Sequence, residues 1–276
     1  MILEELKFLL KNYGLTPNKL RGQNFLISDE VLEDIVNVSE ISRNDLVLEV
    51  GAGLGALTQK LAEQAKQVVA LEIDQNFKKV LDKLVKINNN VEIIWQDILS
   101  LTEDQWQKVL QRYKFADYKI VANIPYYLTG KFIRKFTSAS KKPVSMTLML
   151  QKEVALRAVD NKKNSLLSLA IAFYAKSKVI YIVTKENFYP QPKVDSAILY
   201  IYDINGWSYD VDEKKTWALI KWGFAFKRKK LFNNLLSDPQ IDKRHLTLIF
   251  EKLQLDLNIR AEKLRVEDWI NIVKSL

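Results

Sequence analysis

Apolar residues along the chain change their spacing several times, and each change marks an element. Ile2, Leu6, Leu9, Leu10 and Tyr13 fall on one helical face, and Gly14 follows them as a stop, so residues 1–14 read as a short amphipathic helix. The spacing is lost over 15–26, a polar and basic stretch that reads as an extended arm. Ser28 can cap a second helix over 28–41. Asp29 and Glu30 lie in its first turn, and Val31, Leu32, Ile35, Val36 and Val38 form a broad apolar face.

From Leu46 the pattern becomes an alternation of short apolar runs and amphipathic segments. Strands are expected at 46–50, 68–73, 91–95, 119–123 and 144–150, with helices at 56–65, 76–87 and 131–136. This alternation argues for an α/β fold with a parallel, doubly wound sheet. Helices at 153–159 and 166–175 precede two further strands near 179–183 and 196–202, which can join antiparallel at the sheet edge. A turn-rich break over 203–207 follows, and beyond it the period is helical at 216–226, 230–236, 245–253 and 266–276. Two domains are expected: residues 1–205 around the sheet, and a small all-helical domain over 206–276.

Composition narrows the chemistry. The 276 residues contain no cysteine and one histidine, His245, which excludes disulfides, thiolate metal sites and a cysteine nucleophile, and argues against a Ser-His-Asp arrangement. His245 itself reads as a surface or packing residue. The net charge of +9 points to an anionic partner such as nucleic acid. No apolar run reaches the roughly 18–20 residues a membrane span needs. Glu4 and Glu5 stand where a signal peptide would be basic or apolar, so a cytoplasmic protein is expected.

The candidate chemistry sits at strand ends. Glu49-Val-Gly-Ala-Gly-Leu-Gly-Ala-Leu-Thr58 reads as strand, tight turn and helix, with Gly51, Gly53 and Gly55 letting a ligand approach the backbone. Glu72, 21 residues beyond Gly51, stands where an acid bonds ribose hydroxyls. These features suit nicotinamide dinucleotides and adenosyl cofactors alike. Asp97, after the third strand, can accept a hydrogen bond from an adenine amino group.

Asn123-Ile124-Pro125-Tyr126 points to the reaction. An adenine amine is a poor nucleophile because its lone pair is delocalised into the ring. Two acceptors aimed at its hydrogens, the Asn123 side-chain oxygen and a nearby carbonyl such as that of Ile124, draw the nitrogen toward a tetrahedral form. Pro125 stiffens the turn, and Tyr126 offers a face on which a flipped base can stack. Methyl transfer from a sulfonium needs no strong base, which suits this composition.

Several segments together resemble the ribosomal RNA adenine N6-dimethyltransferases, nearly end to end. They are Gly22-Gln-Asn-Phe-Leu26, the glycine turn, Asn123-Ile-Pro-Tyr126, Gln151-Lys-Glu-Val-Ala-Leu-Arg157, Phe188-Tyr-Pro-Gln-Pro-Lys-Val-Asp-Ser196 and Phe226-Lys-Arg-Lys-Lys-Leu231. The resemblance implies a Rossmann-like class I methyltransferase sheet that uses S-adenosyl-L-methionine, with a helical RNA-binding domain behind it. It implies that Asn24, Leu26, Gly51, Gly53, Glu72, Asp97 and Asn123 line the cofactor site, and that Phe188 sandwiches the target base opposite Tyr126. Lys227, Arg228, Lys229 and Lys230, with Arg21 of the arm, would contact RNA; Lys19, Lys131 and Arg134 could lie on the same face.

Two branches of this family compete. Ile124 leans toward enzymes that modify large-subunit (23S) rRNA and confer macrolide-type resistance. Gly22–Leu26, the basic run and Arg260–Trp269 lean toward enzymes that dimethylate two adjacent adenosines near the 3′ end of small-subunit (16S) rRNA during assembly of the 30S particle, and they outweigh it. A monomeric small-subunit enzyme is expected. A nicotinamide oxidoreductase and a non-catalytic rRNA-binding assembly factor are the readings from other classes.

Overall fold

The computed structural model describes residues 2–18, 22–115, 117–124 and 129–276. A seven-stranded sheet runs in the order β4-β3-β2-β5-β6-β9-β7. Its strands are β2 (Leu46–Val50), β3 (Gln67–Leu71), β4 (Val91–Ile94), β5 (Lys119–Asn123), β6 (Ser145–Gln151), β7 (Lys176–Val183) and β9 (Ser196–Tyr202). Strands β4, β3, β2, β5 and β6 are parallel. β9 inserts antiparallel between β6 and β7. The expected mostly parallel α/β sheet is therefore the architecture observed.

The two faces of the sheet are filled by different residues of the same strands. Val47 of β2 faces a core made with α1 (Leu3–Asn12), α2 (Asp29–Val38), α3 (Ala56–Gln64) and α4 (Lys78–Ile87). Leu46, Leu48 and Val50 face the other core, with α5 (Glu103–Tyr113), α6 (Thr129–Thr137) and α7 (Lys152–Ala158). This is why β2 is buried at every position, as a central parallel strand must be. Helix α5 has no counterpart in the hydrophobic pattern. Its sequence, Glu-Asp-Gln-Trp-Gln-Lys-Val-Leu-Gln-Arg-Tyr, is largely polar, and only Trp106 and Leu110 are buried. It forms because β4 and β5 are parallel and lie on opposite sides of β3 and β2, so the chain must cross over the sheet, and a Thr102–Gln105 capping box starts it.

A second sheet has two short strands, β1 (Phe25–Leu26) and β8 (Phe188–Tyr189), pairing Phe25 with Tyr189 and Leu26 with Phe188. The arm expected over 15–26 is thus held down at its end by a segment more than half the chain away.

The C-terminal helices are α9 (Glu213–Gly223), α10 (Leu231–Leu235), α11 (Lys243–Lys252) and α12 (Val266–Ser275). They bury Trp217, Ile220, Leu231, Leu246, Phe250, Leu264 and Trp269 together with Leu169, Ala170, Phe173 and Tyr174 of α8 (Leu166–Ala172) and its C-terminal turn. Their core is therefore shared with a helix that precedes the break at 203–207. Helix α9 begins three residues earlier than its apolar period suggests, because Asp212 caps it through the Lys215 N–H at 2.7 Å, and it ends at Gly223 rather than 226.

Gly223 lies where α9 meets α12. A Cβ there would sit 2.4 Å from the Trp269 ring and 3.0 Å from Leu231. Gly→Ala in a helix ordinarily gains about 1 kcal/mol, but overpacking a rigid aromatic costs about 1–3 kcal/mol. Gly223→Ala is expected to lower the thermal midpoint despite its better helix propensity; a raised midpoint would show that α12 moves aside freely.

Candidate active site

The carboxyl ends of β2, β3, β4 and β5 open into a cleft of about 310 Å³. Parallel pairing sets Val50 beside both Leu71 and Ala122, and Leu71 beside Ile94, so the residues following each strand converge. Gly51, Gly53, Glu72, Asp97, Asn123 and Ile124 all line the cleft, joined by Asn24 and Leu26 from the arm and by Phe188. Pro125, Tyr126 and Arg21 lie outside the described residues, as does Lys19.

The glycine turn is required by geometry at each step. Gly51, Gly53 and Gly55 have φ of +83°, +55° and +83°, the left-handed region. The Gly51 and Ala52 amides bond back to the Leu71 carbonyl. A Cβ on Gly51 would lie 3.6 Å from the Asn123 carbonyl oxygen, and one on Gly53 would lie 3.3 Å from the Phe25 ring. The turn therefore packs between the β5 end and the arm.

Glu72 ties this turn to the next strand. One carboxylate oxygen accepts from the Gly53 N–H at 2.8 Å, and the other from the Ile73 and Asp74 N–H groups, both at 2.8 Å. Burial pushes its carboxyl upward from the usual range, and the three amide donors oppose that rise. Asp97 accepts from the Leu99 N–H at 2.9 Å, fixing the turn after β4. Gln23, one residue before Asn24, reaches Asp74 at 2.8 Å and so pins the arm over the cleft. Phe25 packs edge-on against Phe77, centroids 5.8 Å apart. Phe188 is a wall of the cleft and 3 % exposed, packed in the core beside Leu26. Its buried position, and not an open aromatic face, is what the structure shows.

Glu49 is the residue that sequence reasoning passed over, although a lone acid inside the apolar run Leu46–Val50 is a visible signal. It is 1 % exposed, and burial raises its carboxyl to about 8, against the weaker opposing influence of the nearby Thr58 hydroxyl.

The lining includes Glu49, Glu72 and Asp97 but, among the described residues, no lysine, arginine or histidine. Among the described residues a pyrophosphate would meet three acids and no cation here. A cationic sulfonium meets the right sign of charge. The site thus suits an adenosyl sulfonium and disfavours a nicotinamide dinucleotide.

The basic run lies elsewhere. Lys227–Lys230 forms an exposed turn between α9 and α10, not a helix face. The turn is held by Asn234, whose buried amide donates to the carbonyls of Gly223 at 2.6 Å and Phe226 at 3.1 Å. Lys227, Arg228 and Lys229 line a groove of about 1240 Å³ together with Lys131, Arg134 and Arg157 of α6 and α7. Lys230 is exposed at the start of α10 and is not part of that lining. Arg134 lies over the Trp217 ring, 4.8 Å from its centroid, so α6 and α9 meet at the groove. His245 is exposed in the first turn of α11.

A parallel sheet with a glycine turn, strand-end acids and a cation-suited cleft defines a class I methyltransferase that uses S-adenosylmethionine. The family described as ribosomal RNA adenine dimethylase matches residues 15–276, and the chain belongs to it. The chain is 38% identical to the ribosomal RNA small subunit methyltransferase A of Bacillus pumilus, over 98% of this chain and 94% of that protein. It is also 38% identical to the protein of that name from Ligilactobacillus salivarius, over 97% and 93%. Among solved structures, a dimethyladenosine transferase from Plasmodium falciparum superposes with a TM-score of 0.72 at 26% identity, covering 90% of this chain and 95% of that one. The 23S rRNA methyltransferase ErmE superposes at 0.68 with 22% identity, over 92% and 99%, a likeness of fold.

A carboxyl whose folded pKa is raised destabilises the fold as pH climbs from its unfolded value toward its folded one. With Glu49 moved from 4.5 to about 8, stability is lost across that window. Glu49→Gln, which mimics the neutral acid, is expected to stabilise the free protein by on the order of 3 kcal/mol at pH 7, with little gain at pH 4.5. Thermal unfolding across this range checks it; a pH-independent gain would mean that Glu49 is not the titrating group.

Proposed function

We propose that the protein transfers methyl groups from S-adenosylmethionine to N6 of two adjacent adenosines in a hairpin near the 3′ end of small-subunit rRNA, within an assembling 30S particle. We read it as a cytoplasmic monomer with residues 1–205 as catalytic domain and 206–276 as RNA-binding domain. The observation that carries the reading is the convergence of Asn123 with Glu49, Glu72 and Asp97 on one cleft at the strand ends. The names of the relatives, small-subunit rRNA methyltransferases, support the choice of rRNA over other nucleic acids and of the small subunit over the large.

In this reading Glu72 and Asp97 hold the ribose and adenine of the cofactor, and the backbone at Gly51 and Gly53 admits its methionine end. The bound cofactor supplies an electrophilic methyl on sulfur. Asn123 accepts a hydrogen from the target amine, and the Ile124 carbonyl is the second acceptor. With its hydrogens held by these two acceptors the amine nitrogen would be free to act as the nucleophile, and the proton it gives up on methylation would leave to water. Positioning supplies most of the catalysis. Tyr126 and Phe188 flank the flipped base, which requires the Phe188 ring to be uncovered from its buried position. The groove takes the RNA backbone, which Lys227, Arg228 and Lys229 contact together with Lys131, Arg134 and Arg157; Lys230 and Arg21 are read as further RNA contacts. Phosphate contacts of this kind position the substrate, and RNA shape with ease of base flipping selects it.

Asn123→Ala is expected to reduce methyl transfer to small subunits by 10³-fold or more, roughly the loss of a transition-state contact and the orientation it imposes, with unfolding unchanged. Near wild-type turnover in a labelled-methyl assay would sink the mechanism, and label mapped to large-subunit rRNA would favour the resistance branch. Replacing Lys227 and Lys229 together by glutamate should weaken RNA binding and lower the slope of log affinity against log salt by about 1–2. An unchanged slope would assign the basic turn to solubility alone.

A further inference from the structure

One group in the cleft is unused by the reaction described above. Glu49 lies in β2, wholly buried, and its Oε2 meets no hydrogen-bond partner of normal geometry; the Thr58 hydroxyl of α3 is the polar group beside it and offsets the cost of burial only in part. Its neighbours across the sheet are Ala70 of β3 and Val121 of β5, so neither adjoining strand offers it a polar side chain. Among the described residues the cleft receives Leu32 and Ile35 from α2 and, as polar side chains of the arm, the neutral Gln23 and Asn24. The ionisable groups that share the cleft with it are Glu72 after β3, whose charge adds to the cost of ionising Glu49, and Asp97 after β4. No positive side chain lines the space among the described residues.

A buried carboxyl with an oxygen left unpartnered is costly to ionise, and in a ligand cleft the ligand can supply the missing charge. S-adenosylmethionine carries a sulfonium and an ammonium, and so brings the charge that this wall lacks. We propose that Glu49 is a proton-linked counter-charge for the methyl donor: neutral in the free protein, it releases its proton to solvent as the cationic donor enters. A cation brought into a low-dielectric site favours the ionised carboxylate beside it. The proton that burial holds on Glu49 therefore leaves when the donor arrives. Glu49 then acts as a specificity-determining residue, since a neutral or anionic nucleotide would leave the same carboxyl unanswered.

The sign of the pH dependence follows. Binding that expels a proton tightens as pH rises, by up to tenfold per pH unit, and levels off above the free-state value of about 8. Titration calorimetry of S-adenosylmethionine into the full-length protein at pH 7, in two buffers of different ionisation enthalpy, counts the protons. Wild type is expected to release up to one proton. Glu49→Gln, shown folded by thermal unfolding, should lose that release and bind at least tenfold more weakly at pH 8, while differing less at pH 6. Protons taken up by the donor's own amine are common to both proteins and cancel in the comparison. Equal proton release by the two proteins would overturn the proposal, as would an affinity whose pH dependence between pH 6 and 8 is the same in both.

Discussion

The site depends on the parallel register of β2, β3, β4 and β5. Because Val50 is level with Leu71 and with Ala122, and Leu71 with Ile94, the ends of these strands and the turns that follow them emerge at one edge of the sheet. Gly51, Glu72, Asp97 and Asn123 are distant in sequence and share an edge only through backbone hydrogen bonds that carry no side-chain information. A shift of one residue in any of these pairings would turn each functional side chain to the opposite face of the sheet. Glu72 reinforces the arrangement, since its carboxylate bridges the Gly53 amide of one strand end and the Ile73 and Asp74 amides of the next.

Against this frame the cleft carries an electrostatic bias. Three acids with no basic partner in the lining among the described residues are unfavourable to the free protein, and Glu49 most of all because it is wholly buried. That cost is consistent with a binding surface shaped for a cation: interactions that destabilise the free fold become favourable when the ligand supplies the missing charge. Stability and donor affinity are set against one another at Glu49.

The substrate side is built on different principles. The groove beside α6, α7 and the α9–α10 turn is basic and exposed, and its shape is maintained by a few buried contacts: Asn234 under the turn, Arg134 on Trp217, and Trp217 bonded to the Tyr174 hydroxyl at 2.7 Å. Since α8 is part of the core of the C-terminal helices, the two walls of the groove are joined by packing as well as by the chain. Long cationic side chains on a firmly held turn suit a phosphate backbone, which demands position and charge more than exact complementarity.

By itself the sequence determined the alternation of strands and helices, the glycine turn with its need for positive φ, the helical character of the C-terminal quarter, and the family. These are local properties, written in hydrophobic period, turn chemistry and short motifs. The tertiary structure alone decided the rest. Helix α5 has too few apolar positions for its period to announce it and exists because a parallel connection needs a crossover. The β1–β8 pairing, which seats the arm against Phe188, joins two-residue strands too short to leave a pattern. The sequence motif suggested Phe188 as a base-stacking face; the fold decided that it stands as a buried wall of the cleft, packed beside Leu26. The basic run reads as a charged stretch of a helical region until Asn234 is seen holding it as a turn. The charge state of Glu49 could not be read from its neighbours in the chain, because it is set by Ala70, Val121, Thr58 and Glu72, residues that only the folded sheet brings around it.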